Sequence, residues 1–534
     1  MNAGDGTRPT AVVLRHPRQQ NRHNSSREDT LGNKASGLLR QAAGRPNVPA
    51  MPRNNLSAQG FTRTEAGLPG AAAMTVHESV LDGIGNTPLV RLTRLAASLR
   101  PRIYAKLEFQ NIGGSVKDRA ALSMIRAAER DGLLGPGGTV VEGTSGNTGV
   151  GLSLVAAHLG YRAVVFAPAA TAAEKIRLLR AYGAEVHLVA DFVPRSHPDH
   201  LANRAARFAE ATPGAWLAQQ YDNPANPGAH VESTGPEIWR DTDGTVTHLV
   251  ASVGTGGTIT GTGRFLKQAS GGSVQVVAAD PDHSAYGGGD GAAKYVEGAG
   301  HAVHPDSAED IWPQAFDTSL VDRYVRVSDK ESILSARKAA REEGLLIGGT
   351  AGTALAAALR LAAELDESHT IVVIIPDSGR NYLSTYFDDG WLTSAGFLRP
   401  AAADGTAGSL LSSPAAGVHI LPVSCTVSEA HTELQRRGLE DGEPAFIALD
   451  RGTPFGSVHP REVAAAVTLG SLQAALSAGP SQAQEPAARH GVAFTAVGTG
   501  ELLADVLPDG VRADGDLLAL LVDGRIAGAV TGGW

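Results

Sequence analysis

The amino-acid sequence predicts an α/β protein with helices on both faces of its sheets, followed by a smaller α/β pair at the C-terminal end. Three observations carry that reading. Short β-branched runs alternate with alanine-rich segments through residues 74–400, the pattern of parallel strands separated by helices. Glycine-rich turns directly follow several of those runs, where open α/β sheets bind ligands. Two weakly similar strand–turn–strand units recur within residues 419–534.

Residues 1–73 are rich in Arg, Asn, Ser, Gly and Pro, with few acids and no sustained periodicity, which predicts a disordered extension. Their Arg-rich, acid-poor character is compatible with a transit peptide, but an extension upstream of Met74 is the plainer reading. Beyond it, residues 103–108 read as a strand and 120–131 as a helix. The alternation continues with a strand at 139–142, a helix at 149–159, a strand at 162–167, a helix at 175–182 and a strand at 185–190. Short apolar runs at 248–253, 274–279 and 371–375 suit buried parallel strands. Residues 401–418, rich in Ala, Gly and Ser, read as a linker. Of the two C-terminal units, one spans residues 426–458 and the other 517–530. Each is expected to hold a strand, an Asp/Gly turn and a strand ending near Gly-x-Val.

At 534 residues the chain has room for about three domains. Its 64 glycines and 5% aromatic content favour tight turns and backbone-lined sites over aromatic recognition surfaces. A net charge of −9 argues against nucleic acid or an anionic membrane as the main partner. No apolar run reaches the roughly 18 residues that span a bilayer. The single cysteine, Cys425, leaves no internal disulfide framework and no multi-cysteine metal site, and is compatible with a reducing cytoplasm.

Chemistry concentrates at the strand–helix junctions. Gly113-Gly114-Ser115-Val116-Lys117-Asp118-Arg119 places a lysine in the first turn of a helix, behind a glycine pair and a Ser115/Asp118 capping box. A lone lysine on a helix is ordinarily a solvated charge, but here the helix dipole opposes its charge, which favours a nucleophilic amine. Asp118 and Arg119 read as structural. In the second junction, Glu142-Gly143-Thr144-Ser145-Gly146-Asn147-Thr148-Gly149, backbone N–H groups and hydroxyls suit a carboxylate, and Asn147 suits a ring hydroxylate. An ordinary turn would use the same residue types. The third, Gly254-Thr255-Gly256-Gly257-Thr258, lets backbone approach a phosphate at a helix start; it lacks the lysine of a nucleotide-hydrolysing P-loop. In Gly348-Gly349-Thr350-Ala351-Gly352, Thr350 offers a neutral hydroxyl to a pyridine nitrogen, or a helix cap.

Residues 76–398 resemble the fold-type II pyridoxal-phosphate enzymes, within them the cystathionine β-synthase and cysteine synthase family. Gly85-Asn86-Thr87-Pro88-Leu89-Val90 and the first three junctions stand in the family's order. The resemblance implies a two-lobed catalytic domain with pyridoxal 5'-phosphate carried on Lys117, Asn147 on its 3′-oxygen, and Gly254, Thr255, Gly256, Gly257 and Thr258 on its phosphate. Thr350 matches the residue at the pyridine nitrogen. Thr144, Ser145, Gly146 and Thr148 match the substrate-carboxylate loop, with Gln220 beside it. The implied reaction is β-replacement on L-serine by homocysteine to give cystathionine; cysteine synthesis from O-acetylserine and sulfide, a related serine-derived synthase and an inactive ligand-sensing homologue are the alternatives. Gln220-Tyr221-Asp222-Asn223-Pro224 and Pro376-Asp377-Ser378-Gly379-Arg380, with Trp391, look more like cystathionine β-synthase. So does a C-terminal pair similar to CBS (Bateman) modules.

Departures from the family matter. His301 stands where synthases carry Tyr or an acid, which bears on homocysteine handling. The modules lack the Thr/Ser-x-x-Asp ribose contact, having His459 and Glu462 in one and Thr531 and Trp534 in the other. A packing or dimerisation role is therefore expected rather than adenosyl-ligand regulation. No cysteine lies in residues 1–73, so haem is not expected. A cytoplasmic homo-oligomer acting on small molecules, with no metal, completes the reading.

Overall fold

Strands apolar along their whole length need cover on both faces, and such strands form the centre of this fold. The computed structural model describes residues 76–144, 146–190, 193–304, 312–398, 406–407, 418–449, 458–492, 494–501 and 517–531. The extension expected at 1–73 and nearly all of the linker expected at 401–418 lie outside the described residues.

In chain order the first strands are β1 (Leu89–Arg91), β2 (Arg102–Leu107), β3 (Thr139–Gly143), β4 (Arg162–Pro168), β5 (Glu185–Val189) and β6 (Ala215–Leu217). They continue with β7 (His248–Ser252), β8 (Gln275–Pro281), β9 (Arg323–Val327) and β10 (Thr370–Ile375). Between them run α1 (Lys117–Arg130), α2 (Asn147–Leu159), α3 (Ala173–Ala181), α4 (Leu201–Ala211), α5 (Ala225–Ala229) and α6 (Gly235–Asp241). Then come α7 (Gly257–Ala269), α8 (Asp329–Glu342) and α9 (Gly349–Ala362).

These strands form two sheets. One has the order β5-β4-β3-β6 and is wholly parallel. The other runs β1-β2-β10-β7-β8-β9, with only the edge pair β1–β2 antiparallel. Alternate residues of the larger sheet feed two separate apolar cores: Val250, Val277 and Val373 on one face, Leu249, Val276 and Val372 on the other. The strand runs read from sequence between residues 103 and 375 are all present, shifted at their ends by a residue or two.

The start of α1 is held by charges rather than by a cap. Ser115 Oγ accepts from Lys117 N (3.2 Å), and it is the Ser115 carbonyl that takes Asp118 N (3.3 Å), while the Asp118 carboxylate reaches back to Gly113 N (2.7 Å). The reciprocal box expected from the spacing is therefore replaced by two side-chain contacts at different positions, because the helix begins at Lys117. Arg119 binds Glu108 (2.7 and 2.9 Å) and Glu237 (2.6 and 2.7 Å) through both carboxylate oxygens of each. Lys106 joins Glu237 at 2.8 Å and the Thr87 carbonyl at 2.6 Å. All four charged residues are buried. Gly85 has φ +97°, and a Cβ there would lie 2.9 Å from Arg119 Nη1, so the turn before Thr87 needs glycine.

Next come α10 (Asp389–Ser394), β11 (His419–Pro422), α11 (Val427–Arg437), β12 (Pro444–Ala448), β13 (Val463–Thr468), α12 (Leu469–Ala478), β14 (Phe494–Gly498), β15 (Leu517–Val522) and β16 (Arg525–Thr531). The two C-terminal units share one topology. Each has a parallel pair followed by an antiparallel one, β11-β12-β13 and β14-β15-β16, with a register shift in the middle strand at Ile447/Ala448 and at Leu520/Leu521. Their inner faces share one core, including Phe446, Ala466, Phe494 and Leu521. These sheets are consistent with a CBS-like pair. The second unit has the expected turn, with Asp523 and Gly524 at φ 50° and 79°. In the first, most of the expected turn and return strand (450–457) lies outside the described residues, and the strand that pairs with β12 is Val463–Thr468. The reason is local: His459 caps a 3₁₀ turn over Pro460–Glu462, so extended pairing resumes only at Val463.

Replacing Arg119 by Met leaves two buried carboxylates without their shared cation, a loss of about 3–5 kcal/mol. Urea unfolding should show that drop; an unchanged midpoint would mean the network is dispensable.

Candidate active site

Helices α1, α2, α7 and α9 all open toward one cavity of about 150 Å³. Each contributes from its first turn: Lys117, then Asn147 and Thr148, then Thr258, then Thr350. The loops after β3 and β10 add Thr144 and Asp377, and the end of β7 adds Ser252. The cavity thus lies beyond the carboxyl ends of the strands, where helix N-termini give a field favourable to anions.

Lys117 is one of three lysines that line this cavity, with Lys175 and Lys294. Burial lowers its pKa to about 8, against the opposing pull of Asp377. Asp377 follows β10 and is itself 1% exposed. Its Oδ2 accepts from Asn147 Nδ2 (2.8 Å) and from the Tyr382 hydroxyl (2.7 Å), whereas its buried Oδ1 has no hydrogen-bond partner among the described residues. The second N–H of the Asn147 amide remains for a ligand.

The glycine-rich turn after β7 forms the opposite wall. Gly256 caps α7 at φ +82°, and the first amide of the helix, Gly257 N, donates to Thr255 Oγ1 at 3.4 Å. A Cβ on Gly254 would collide with the Gly298 carbonyl, and one on Gly257 with Asn226, so the turn is locked between neighbouring segments. Thr255 Oγ1 is met by Asn226 Nδ2 at 3.1 Å, and Thr258 Oγ1 by His230 Nε2 at 3.2 Å. His230 lies in a π-helical turn, His230–Thr234, between α5 and α6. Burial, then the Arg119 and Lys117 charges, keep its imidazole neutral.

Gly254, Thr255, Gly256 and Thr258 line the cavity; Gly257 stands behind them against Asn226. On the other side Thr148 donates to Gln220 Oε1, and both line the cavity with Thr144. Gly146, at φ +146°, caps α2 and packs against Lys175 without lining the cavity. Ser145 lies outside the described residues. The Thr350 hydroxyl donates to the Glu297 carbonyl at 2.5 Å. Facing a ring nitrogen requires it to turn from that carbonyl.

Sequence reasoning missed several participants. Lys175, 2% exposed, pairs with Glu297 at 2.8 Å and lies 4.5 Å from the Tyr382 ring centre. Asp377 stood in a motif already quoted, but no local pattern announced that it would meet Asn147. Lys294 and Gly298 arrive on a segment without regular structure. His459 and Glu462, the departures in the first C-terminal unit, face that same segment. Glu462 accepts from Ala293 N (2.9 Å), Arg525 Nη2 donates to Ala293 O (2.8 Å), and the His459 ring lies 4.5 Å from that of Tyr295. Thr531 ends the description of the second unit, and Trp534 lies outside it. Cys425 is buried with its thiol raised to about 11, unsuited to nucleophilic work. Among the described residues no cluster of metal-ligating side chains occurs.

A family model described as "Pyridoxal-phosphate dependent enzyme" matches residues 80–377. Cystathionine beta-synthase of Apis mellifera is 40% identical over 332 residues, 61% of this chain and 64% of that protein. Cysteine synthase 1 of Emericella nidulans is 42% identical over 324 residues, 59% of this chain and 86% of that protein. Among solved structures, O-ureido-L-serine synthase superposes with a TM-score of 0.54 at 38% identity, covering 60% of this chain and all of that one. The chain spans about three fifths of the length of the cystathionine beta-synthases it matches.

An ordinary lysine titrates at 10.5, and the depressed value at Lys117 shifts its reactivity. Because the free amine is the nucleophile, reductive alkylation of Lys117 in cofactor-free protein should rise through about pH 8 and level off above it. A midpoint near 10, read by peptide mass spectrometry, would contradict the buried environment.

Proposed function

The chain belongs to the pyridoxal-phosphate dependent enzyme family, and from that premise we propose that it joins L-serine to homocysteine, forming cystathionine and water. The carrying observation is the half-buried amine of Lys117, its pKa lowered to about 8, facing several helix N-termini across one cavity. A phosphorylated aldehyde suits that donor set. Lys117 can hold the aldehyde carbon, the start of α7 with Thr255 and Thr258 can hold the phosphate, and Asn147 can hold the ring oxygen. The pyridoxal phosphate cofactor supplies an electron sink for charge developing at the substrate Cα.

The protein's own groups do the rest. Thr144, Thr148 and Gln220, beside the first turn of α2, receive the serine carboxylate. Lys117, when not holding the cofactor, takes the Cα proton as general base and returns it after the new bond forms. Asp377 stays close enough to stabilise the ammonium form of Lys117 between those transfers. In balance, the serine Cβ–O bond breaks, a Cβ–S bond forms, and the thiol proton leaves with hydroxide as water.

The likeness in Gln220–Pro224 and around Asp377, the extra C-terminal sheets and the 40% identity to cystathionine beta-synthase favour homocysteine as acceptor. The match to a cysteine synthase at 42% identity keeps O-acetylserine and sulfide as the second reading. No described helix is long and apolar enough to cross a membrane. We place the enzyme in the cytoplasm as a homo-oligomer, with the C-terminal sheets as a packing element.

Purified holoenzyme offered serine or O-acetylserine with homocysteine or sulfide should yield cystathionine from serine and homocysteine; cysteine from O-acetylserine alone would transfer the assignment to the second reading. Lys117→Ala should remove the visible absorbance that the cofactor acquires on the lysine and lower turnover by at least about 10²–10⁴-fold. A retained band would remove Lys117 from its role.

A further inference from the structure

A second cavity, of about 490 Å³, opens beside the first. Gln220, Tyr221, Lys294 and Gly300 line both, so the cavities share one wall. Arg195 and His200 stand on the far side of the larger one. Two acids also face it. Burial raises Glu142 to about 7, and its oxygens accept from Gly143 N (2.9 Å) and Gln220 N (3.0 Å). Asp222 accepts from Gln314 N at 3.3 Å.

Lys294 is unusual in this wall. The backbone on either side of it is tied down: Ala293 by Glu462 and Arg525, Tyr295 N and Val296 N by the Asp329 carboxylate at 3.0 and 2.9 Å. Its half-buried ammonium, in contrast, has no hydrogen bond and no ion-pair partner within 4 Å among the described residues. Asp329, Asp280 and Glu297 attract it from farther off, and Arg461 repels it. The stem runs past Gly300, where an added Cβ would lie 2.9 Å from Lys294 Cε. A cation on a fixed backbone, left unpaired at the junction of two cavities, is placed for an anion that arrives from outside.

We propose that Lys294 binds a carboxylate of the acceptor, and that the acceptor is a thiol bearing a carboxylic acid, seated in the larger cavity with its sulfur toward Lys117. This deepens the β-replacement reading above and rests on it. Sulfide has no carboxylate and needs none of this volume. The serine carboxylate has its own donors at Thr144, Thr148 and Gln220, so Lys294 is left for the second substrate.

The test compares two short thiols, one with a carboxylate and one without, 3-mercaptopropionate and 2-mercaptoethanol, with homocysteine and sulfide, using the donor the wild-type holoenzyme accepts. Wild type should prefer 3-mercaptopropionate over 2-mercaptoethanol in kcat/KM by about 10- to 100-fold. Lys294→Met should erase that preference through the acceptor KM, with the donor KM unmoved, and Lys294→Arg should restore most of it. The wild-type comparison decides the matter even where Lys294→Met does not fold. No preference in wild type, an equal loss with both thiols, or a change in donor KM overturns the role of Lys294 while leaving β-replacement intact. Absence of any β-replacement product with every acceptor overturns the reading of the site, and this inference with it.

Discussion

Two glutamates and two cations, shut away from water, fix the direction of α1, and the active site is set out from that helix. Arg119 grips Glu108 after β2 and Glu237 on α6, while Lys106 closes the set from β2. Residues two apart on an α-helix point about 200° away from each other. Holding Arg119 into this network therefore turns Lys117 to the other side, into the cavity. A buried ion network stabilises little relative to apolar packing, but its breakage is costly, so it selects one arrangement over its competitors.

With Lys117 aimed, two opposing effects set its charge. Burial and the start of α1 work against the ammonium; the nearby Asp377 carboxylate works for it. The outcome is an amine poised near neutral pH rather than a permanent cation. The same helix N-termini that disfavour a positive lysine favour phosphate and carboxylate. One piece of backbone geometry therefore serves both the nucleophile and the anions beside it.

The C-terminal sheets reach this site through a short segment. Glu462 and Arg525 hold Ala293 by its N–H and its carbonyl, and Tyr295 packs between His459 and Phe397. From that anchored stretch Lys294 projects to the shared wall, Glu297 pairs with Lys175, and the Glu297 carbonyl takes the Thr350 hydroxyl. His459 and Glu462, which replace the ribose-contact residues of similar modules, face the catalytic part of the same chain.

The sequence by itself determined the α/β class, the strand runs, the three glycine-rich junctions and the place of Lys117 at the start of a helix. These are local properties: periodicity, β-branching and the small residues that tight turns require are written in consecutive positions. It also showed the C-terminal repeat, although the return strand of the first unit begins only after a 3₁₀ turn at Pro460–Glu462. Tertiary structure alone decided that Asp377 meets Asn147, that Lys175 meets Glu297, and that Lys294 stands between two cavities with no ion-pair partner among the described residues. Those pairs lie more than a hundred residues apart in sequence. The side chains that meet are set by how the sheets and helices pack, which no local pattern encodes.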